Sequence, residues 1–224
     1  MQGSTGGVSE LLQQGRFESL FGAIERTPGL GVFLIDDEGR IEYLTRSAAE
    51  ILFRCEVNGA IGRSLATLLG EHYGPGLLQR AQAGPLHAER LIWGGWQLIL
   101  VFYCDGAAHG LHRACTVQRV ADPIGDQWRG LKVHRADCAD FGPLGVLSAR
   151  ELEVAAMIGA GMSVREIASH LHRSIKTIEN HRISIGRKLG IGSRLEIALM
   201  ANIAGLRPSD SELRRLGPET LRSR

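Results

Sequence analysis

The sequence predicts an α+β first half, an antiparallel sheet with flanking helices, joined to an all-α second half of four helices. Three observations predict it. Between residues 30 and 120, short apolar runs alternate with turn residues at strand-like spacing. From Leu147 onward, serine is repeatedly followed three residues later by glutamate, which marks a helix start. Charge divides at the same place. Residues 1–143 carry 13 Lys+Arg against 16 Asp+Glu, net −3, whereas 144–207 carry 9 against 5, net +4, and the last 17 residues add +1.

The whole chain has 224 residues, is 44% hydrophobic and 22% charged, and reads as globular rather than disordered. Its longest glycine-free apolar run, Leu98 to Cys104, falls far short of the roughly 18–20 residues of a membrane span. The start, MQGSTGGVSE, has neither the basic nor the apolar region of a secretion signal, so the expected location is the cytoplasm. Cys55, Cys104, Cys115 and Cys138 form no C-x-x-C pair, which argues against a zinc knuckle or a disulfide framework.

Ser9 to Arg26 reads as a helix, with Phe17, Leu20, Phe21 and Ile24 on one face and Pro28 after its end. Gly31 to Ile35 and Arg40 to Leu44 read as a hairpin turned by Asp36-Asp37-Glu38-Gly39. Ser47-Ala-Ala-Glu50 fits a capping box opening a short helix, and Leu65 to Leu69 and Leu77 to Ala83 read as helices separated by Gly74-Pro75-Gly76. Leu91 to Trp93, a Gly94-Gly95 turn and Trp96 to Phe102 form a second hairpin, and Leu111 to Val120 a further strand. The expected division is 1–120 for the first domain, 121–146 for a Gly/Pro-rich linker, 147–207 for the helical domain and 208–224 for a polar tail.

The stretch GVFLIDDEGRIEYLTRSAAEIL resembles the opening of a PAS domain, over about residues 18–120. The resemblance implies a five-stranded antiparallel sheet with a helical flank that encloses a small ligand or mediates pairing. A magnesium-binding receiver is disfavoured, because a turn and a second strand follow Asp36-Asp37 where a receiver needs a helix. Nothing around Cys55, His72 or His87 matches a flavin-reactive or heme-binding PAS subclass, and no cofactor or metal is assigned.

In the second half, Ser148 with Glu151, Ser163 with Glu166 and Ser193 with Glu196 open three helices, and Ser174 with Thr177 opens a fourth. The helices are expected at about 149–160, 164–171, 175–189 and 194–204. Val164, Ile167, Ala168 and Leu171 give the second an apolar stripe; the third buries Ile178, Ile185 and Leu189. Its opposite ridge is then Lys176, Glu179, Asn180, Ile183 and Arg187. Two helices joined by so tight a turn, the second longer and basic, form a helix-turn-helix, whose second helix enters the DNA major groove. Asn180 suits adenine, Glu179 cytosine N4 and Ile183 a thymine methyl. Ser174 and Thr177 suit phosphate at a helix N-terminus, and Lys176, Arg187 and Lys188 suit phosphate by charge. His181, read as packed or phosphate-bonding, and Ser184 complete the candidate DNA-binding set. No catalytic residue is assigned, since no phosphate-cradling loop, metal cluster or nucleophile elbow is present in the sequence.

The pieces R-E-x-E-V (Arg150 to Val154), G-M-S-x-x-E-I-A (Gly161 to Ala168), T-I-E-N-H (Thr177 to His181) and K-L-G-I (Lys188 to Ile191) together resemble the LuxR-type, or GerE-type, DNA-binding domain, from Leu147 to about Ile203. The resemblance implies a four-helix domain whose fourth helix pairs subunits through Leu195, Leu199 and Ile203, in a transcription regulator that carries a sensory or receiver domain. Three residues depart from the pattern. Arg173 replaces an aliphatic residue in the turn, Gly186 replaces a larger side chain inside the third helix, and Glu179 stands where acid and base alternate, either reading cytosine or facing Arg182. The expected function is a DNA-binding regulator, dimeric, with duplex DNA and RNA polymerase as partners and no membrane. Its first domain senses a ligand or partner; the alternative is a regulator whose first domain serves protein contact alone.

Overall fold

The structure is a computed structural model that describes residues 23–103, 113–120 and 131–217. Of the helix expected from Ser9 to Arg26, residues 9–22 lie outside the described range, and residues 23–25 are helical. β1 (Leu30–Ile35) and β2 (Ile41–Leu44) form the first hairpin, with Phe33 opposite Leu44. Asp36 makes its turn by accepting the backbone N–H groups of Glu38 at 2.9 Å and Arg40 at 2.8 Å through one carboxylate oxygen.

After β2 the chain enters α1 (Arg46–Ala48), which continues as a π-helical turn, Ala49–Phe53. Thr45, not Ser47, is its cap, so the box read at Ser47 and Glu50 is not the start of this helix. The buried Thr45 hydroxyl accepts from Ala48 N–H at 3.3 Å and from Val32 N–H at 3.0 Å, joining the helix start to β1 in a way Ser47, already inside the helix, does not. α2 (Val57–Ala60) and α3 (Leu65–Leu68) follow. Gly74-Pro75-Gly76 is not a spacer but the first turn of α4 (Gly74–Gln82), where proline needs no N–H partner. Gly74 is required there, since a Cβ would lie 2.2 Å from the carbonyl oxygen of Ala66.

β3 (Leu86–Trp93), β4 (Trp96–Tyr103) and β5 (Arg113–Arg119) complete five strands in the order β2-β1-β5-β4-β3, with β6 (Val133–Arg135) added beyond β3. β1 lies antiparallel to both neighbours. This α+β sheet with interposed helices is the PAS-like fold expected of the first half.

By its contacts the described chain separates into two compact units, one comprising the residues up to Glu89 with Ile99–Arg119, the other Arg90–Leu98 with Val120–Gly217. The first has an aromatic interior in which Phe33 meets Phe53 and Phe102 edge-on, at centroid distances of 5.6 and 6.1 Å. Its buried carboxylate, Glu89, is fully engaged by the Tyr73 hydroxyl, two Arg80 nitrogens and His87 Nε2, all at 2.9–3.0 Å. A buried charge is tolerated only with such partners.

The second unit holds α5 (Ala149–Gly159), α6 (Val164–His170), α7 (Ile175–Leu189) and α8 (Arg194–Ile203), each within a residue of its expected bounds. Leu152, Ala155, Ile158, Ile167, Ile178, Ile185, Ile197 and Ala201 meet in one core. The stretch read as linker contains β6, β7 (Cys138–Ala139) and a 3₁₀ turn, Gly142–Val146. Beyond residue 207 there is a second 3₁₀ turn, Pro208–Glu212, and β8 (Arg214–Arg215) parallel to β7. Buried Asp210 anchors this return through Arg90 at 3.2 Å and Arg135 at 2.9 Å.

Gly186 has a physical reason: a Cβ would fall 2.8 Å from the Ile191 carbonyl oxygen, where the chain folds back after α7. Alanine is the better helix former by about 1 kcal/mol. Gly186→Ala is nonetheless expected to lower stability by about 1–3 kcal/mol, because the contact is with backbone. Chemical denaturation checks the sign, and a rise in the midpoint contradicts the packing.

Candidate nucleic-acid interface

α6 and α7 are separated by Leu171, His172, Arg173 and Ser174. His172 adopts a left-handed conformation, φ +50°, and the next N–H, of Arg173, reaches back to Ala168 O at 2.9 Å, closing the end of α6. Arg173 is exposed in this turn. Ser174 then caps α7 by accepting Thr177 N–H at 3.1 Å, and its hydroxyl lies 2.8 Å from that of Thr177. These two exposed hydroxyls stand at the positive end of the helix dipole.

Ile178 and Ile185 are fully buried and fix one face of α7 to the core. Lys176, Asn180, Ile183 and Arg187 are exposed on the other. Glu179 and His181 are half-buried at its flanks. Arg182 Nε donates to Glu179 Oε2 at 2.9 Å, so the acid on this ridge carries its own counter-charge. Ile183 is 57% exposed, and so is Ile175, at 51%, which the sequence reading did not place in the set.

Ser184 and Lys188 belong to a different arrangement. Ser184 Oγ donates to Glu151 Oε1 at 2.7 Å, and Lys188 Nζ to Glu151 Oε2 at 2.6 Å. Glu151 also accepts Ser148 N–H at 2.7 Å, closing the capping box of α5. Burial alone opposes its ionisation, yet the bonds from Lys188, Ser148 and Ser184 outweigh it and lower its pKa to about 2. The sequence marked Glu151 as a cap; its second task, holding α7, has no local signal.

On α8, Leu195 is 78% and Leu199 58% exposed, one turn apart, while Ile203 on the same stripe is partly covered. Among the described residues no group of three or more His, Cys, Asp or Glu is placed to hold a metal ion, and no helix is long and apolar enough to cross a membrane.

A tight turn, a buried inner face on the second helix and an exposed basic outer face define a helix-turn-helix of the nucleic-acid-binding kind. Residues 145–201 match the family described as GerE, bacterial regulatory proteins of the luxR family, and this segment is a LuxR-type helix-turn-helix domain. The chain is similar to the oxygen regulatory protein NreC of Staphylococcus aureus (strain JH9), 44% identical over 55 residues, which is 25% of this chain and 25% of that protein. The chain thus matches about a quarter of the length of this curated relative. It is also similar to a Vibrio cholerae VqmA–ligand–DNA complex, at 18% identity and TM-score 0.44 over 91% of this chain and 92% of that one. The PAS domain of nitrogen regulation protein NR(II) from Vibrio parahaemolyticus aligns at 21% identity and TM-score 0.33, over 44% of this chain and 95% of that one.

Because the folded Glu151 pKa lies near 2, below the ordinary 4.5, the stability it adds is full above pH 4.5 and is lost as pH falls toward 2. Glu151→Gln is expected to cost about 1.5–3 kcal/mol at neutral pH, as loss of a charged hydrogen-bond acceptor does. Thermal melts of the two proteins should converge through that acidic window. A constant gap across it contradicts the assignment.

Proposed function

We propose that the chain is a sequence-reading transcription regulator that binds duplex DNA through α7 and works in the cytoplasm as a homodimer. The observation that carries this reading is the exposed ridge of Lys176, Asn180, Ile183 and Arg187, opposite a face locked into the core. In this reading Asn180 bonds an adenine edge and Ile183 touches a thymine methyl, while Glu179, held by Arg182 through one carboxylate oxygen, turns the other toward cytosine N4. Ser174, Thr177, Lys176 and Arg187 hold phosphates and set register, with His181 at the edge of that contact. Lys188 and Ser184 act mainly through Glu151, by orienting the helix. Leu195, Leu199 and Ile203 form the subunit contact, supported by the exposure of both leucines. RNA polymerase is the further partner.

The first domain senses a ligand or partner and adjusts pairing or DNA binding. A second reading, in which it serves protein contact alone, draws on the bulky side chains Phe33, Tyr73, Leu77 and Phe102, all fully buried within it.

Fluorescence anisotropy of the full chain on duplex DNA should show affinity falling with salt, and Arg187→Gln should reduce the slope of log K against log salt by about 0.9. Lys188→Gln should change the slope less and lower the melting temperature more. Asn180→Ala should cost about 1–3 kcal/mol on a preferred sequence and little on others. Sedimentation of the same mixtures should show two chains per site. Salt-insensitive binding contradicts the proposal.

A further inference from the structure

Two isoleucines on α7 have no place in the core. The partly buried apolar side chains Leu171, Leu189 and Ile191 pack against the helical core cluster, whereas Ile175 and Ile183 are each more than half exposed. Ile183 already has a role on the ridge. Ile175 has none, although it is half exposed and is the first residue of the helix.

Its position gives it one. Every Cα–Cβ bond of an α-helix tilts toward the N-terminus, so a side chain at the first position extends ahead of the helix backbone. The N-terminal end of a helix-turn-helix second helix is the part that reaches the base edges. A β-branched, apolar side chain has no hydrogen bond to offer there; its one specific match in the major groove is the thymine C5 methyl. The neighbours of Ile175 suit DNA rather than an apolar protein surface. Arg173, Ser174 and Lys176 are all exposed, and each is a phosphate-compatible group.

We propose that Ile175 reads a thymine methyl from the leading tip of α7, as a second apolar base contact beside Ile183. Eight residues of helix separate the two by about 12 Å. At ~3.4 Å per base pair, that length along the DNA axis puts the two thymines at most about three to four steps apart. The proposal rests on the DNA-reading role of α7, and the test separates the two.

The full chain and its Ile175→Ala, Ile175→Val and Ile183→Ala variants are used to select duplexes from a random-sequence library. Each thymine of the enriched duplex is then replaced singly by deoxyuridine, which removes only the methyl. One replacement should weaken the unaltered chain by about fourfold, the worth of one methyl group. The same replacement should leave Ile175→Ala unaffected, while Ile175→Val keeps part of the effect. A second thymine should respond in the same way to Ile183→Ala. Circular dichroism melts of the variants should match that of the unaltered chain, since neither side chain is in the core. An enriched sequence whose deoxyuridine penalties are the same with and without Ile175 overturns this inference and leaves the DNA-reading role standing. Loss of self-association in Ile175→Ala with unchanged base preference overturns it in favour of a protein contact. Failure to enrich any sequence overturns both.

Discussion

Glu151 is bonded at once to the start of its own helix and to the later turns of α7, and that double attachment decides which way α7 faces. One carboxylate receives the Ser148 N–H, the Ser184 hydroxyl and the Lys188 ammonium. Ile178 and Ile185 supply apolar burial on the neighbouring side of the same helix. With two sides of α7 held, the remaining one is left to solvent. The exposed ridge is therefore a consequence of packing rather than an independent feature.

The basic residues of α7 divide accordingly. Arg182 is bonded to Glu179 and Lys188 to Glu151, so each neutralises an acid that otherwise repels phosphate. Lys176 and Arg187 remain on the exposed side. A count of positive charge along residues 173–194 treats all of these as equal; the structure assigns them to different work. Charge pairs at the surface contribute little to stability, whereas truncating one partner of a buried acid is costly, and Glu151 is the buried one.

Much of the helical half was legible in the sequence because its signals are local. The three boxes at Ser148, Ser163 and Ser193 form with both reciprocal bonds present, and Ser174 caps without an acid as its neighbour Thr177 suggested. The ridge followed from helical period alone. What escaped was non-local. Thr45 took the cap from Ser47 because it bonds Val32 as well, across 13 residues. The β7–β8 pairing joins two-residue strands that carry no periodicity, and Asp210 meets Arg90 across 120 residues. In the candidate site, Ser184 and Lys188 belong to the DNA-binding set expected from the sequence, but their partner Glu151 lies 33 and 37 residues away. Ile175 is apolar and opens α7, and its exposure is visible only once the fold is known.

The most direct test of the central claim is a methyl and amide NMR titration of the full chain with duplex DNA. The account predicts that the amides of Ser174, Lys176 and Asn180 and the methyl groups of Ile183 shift together on binding, while those of Ile178 and Ile185 hold their positions. Shifts confined to other elements, with the exposed side of α7 unmoved at saturating DNA, contradict it.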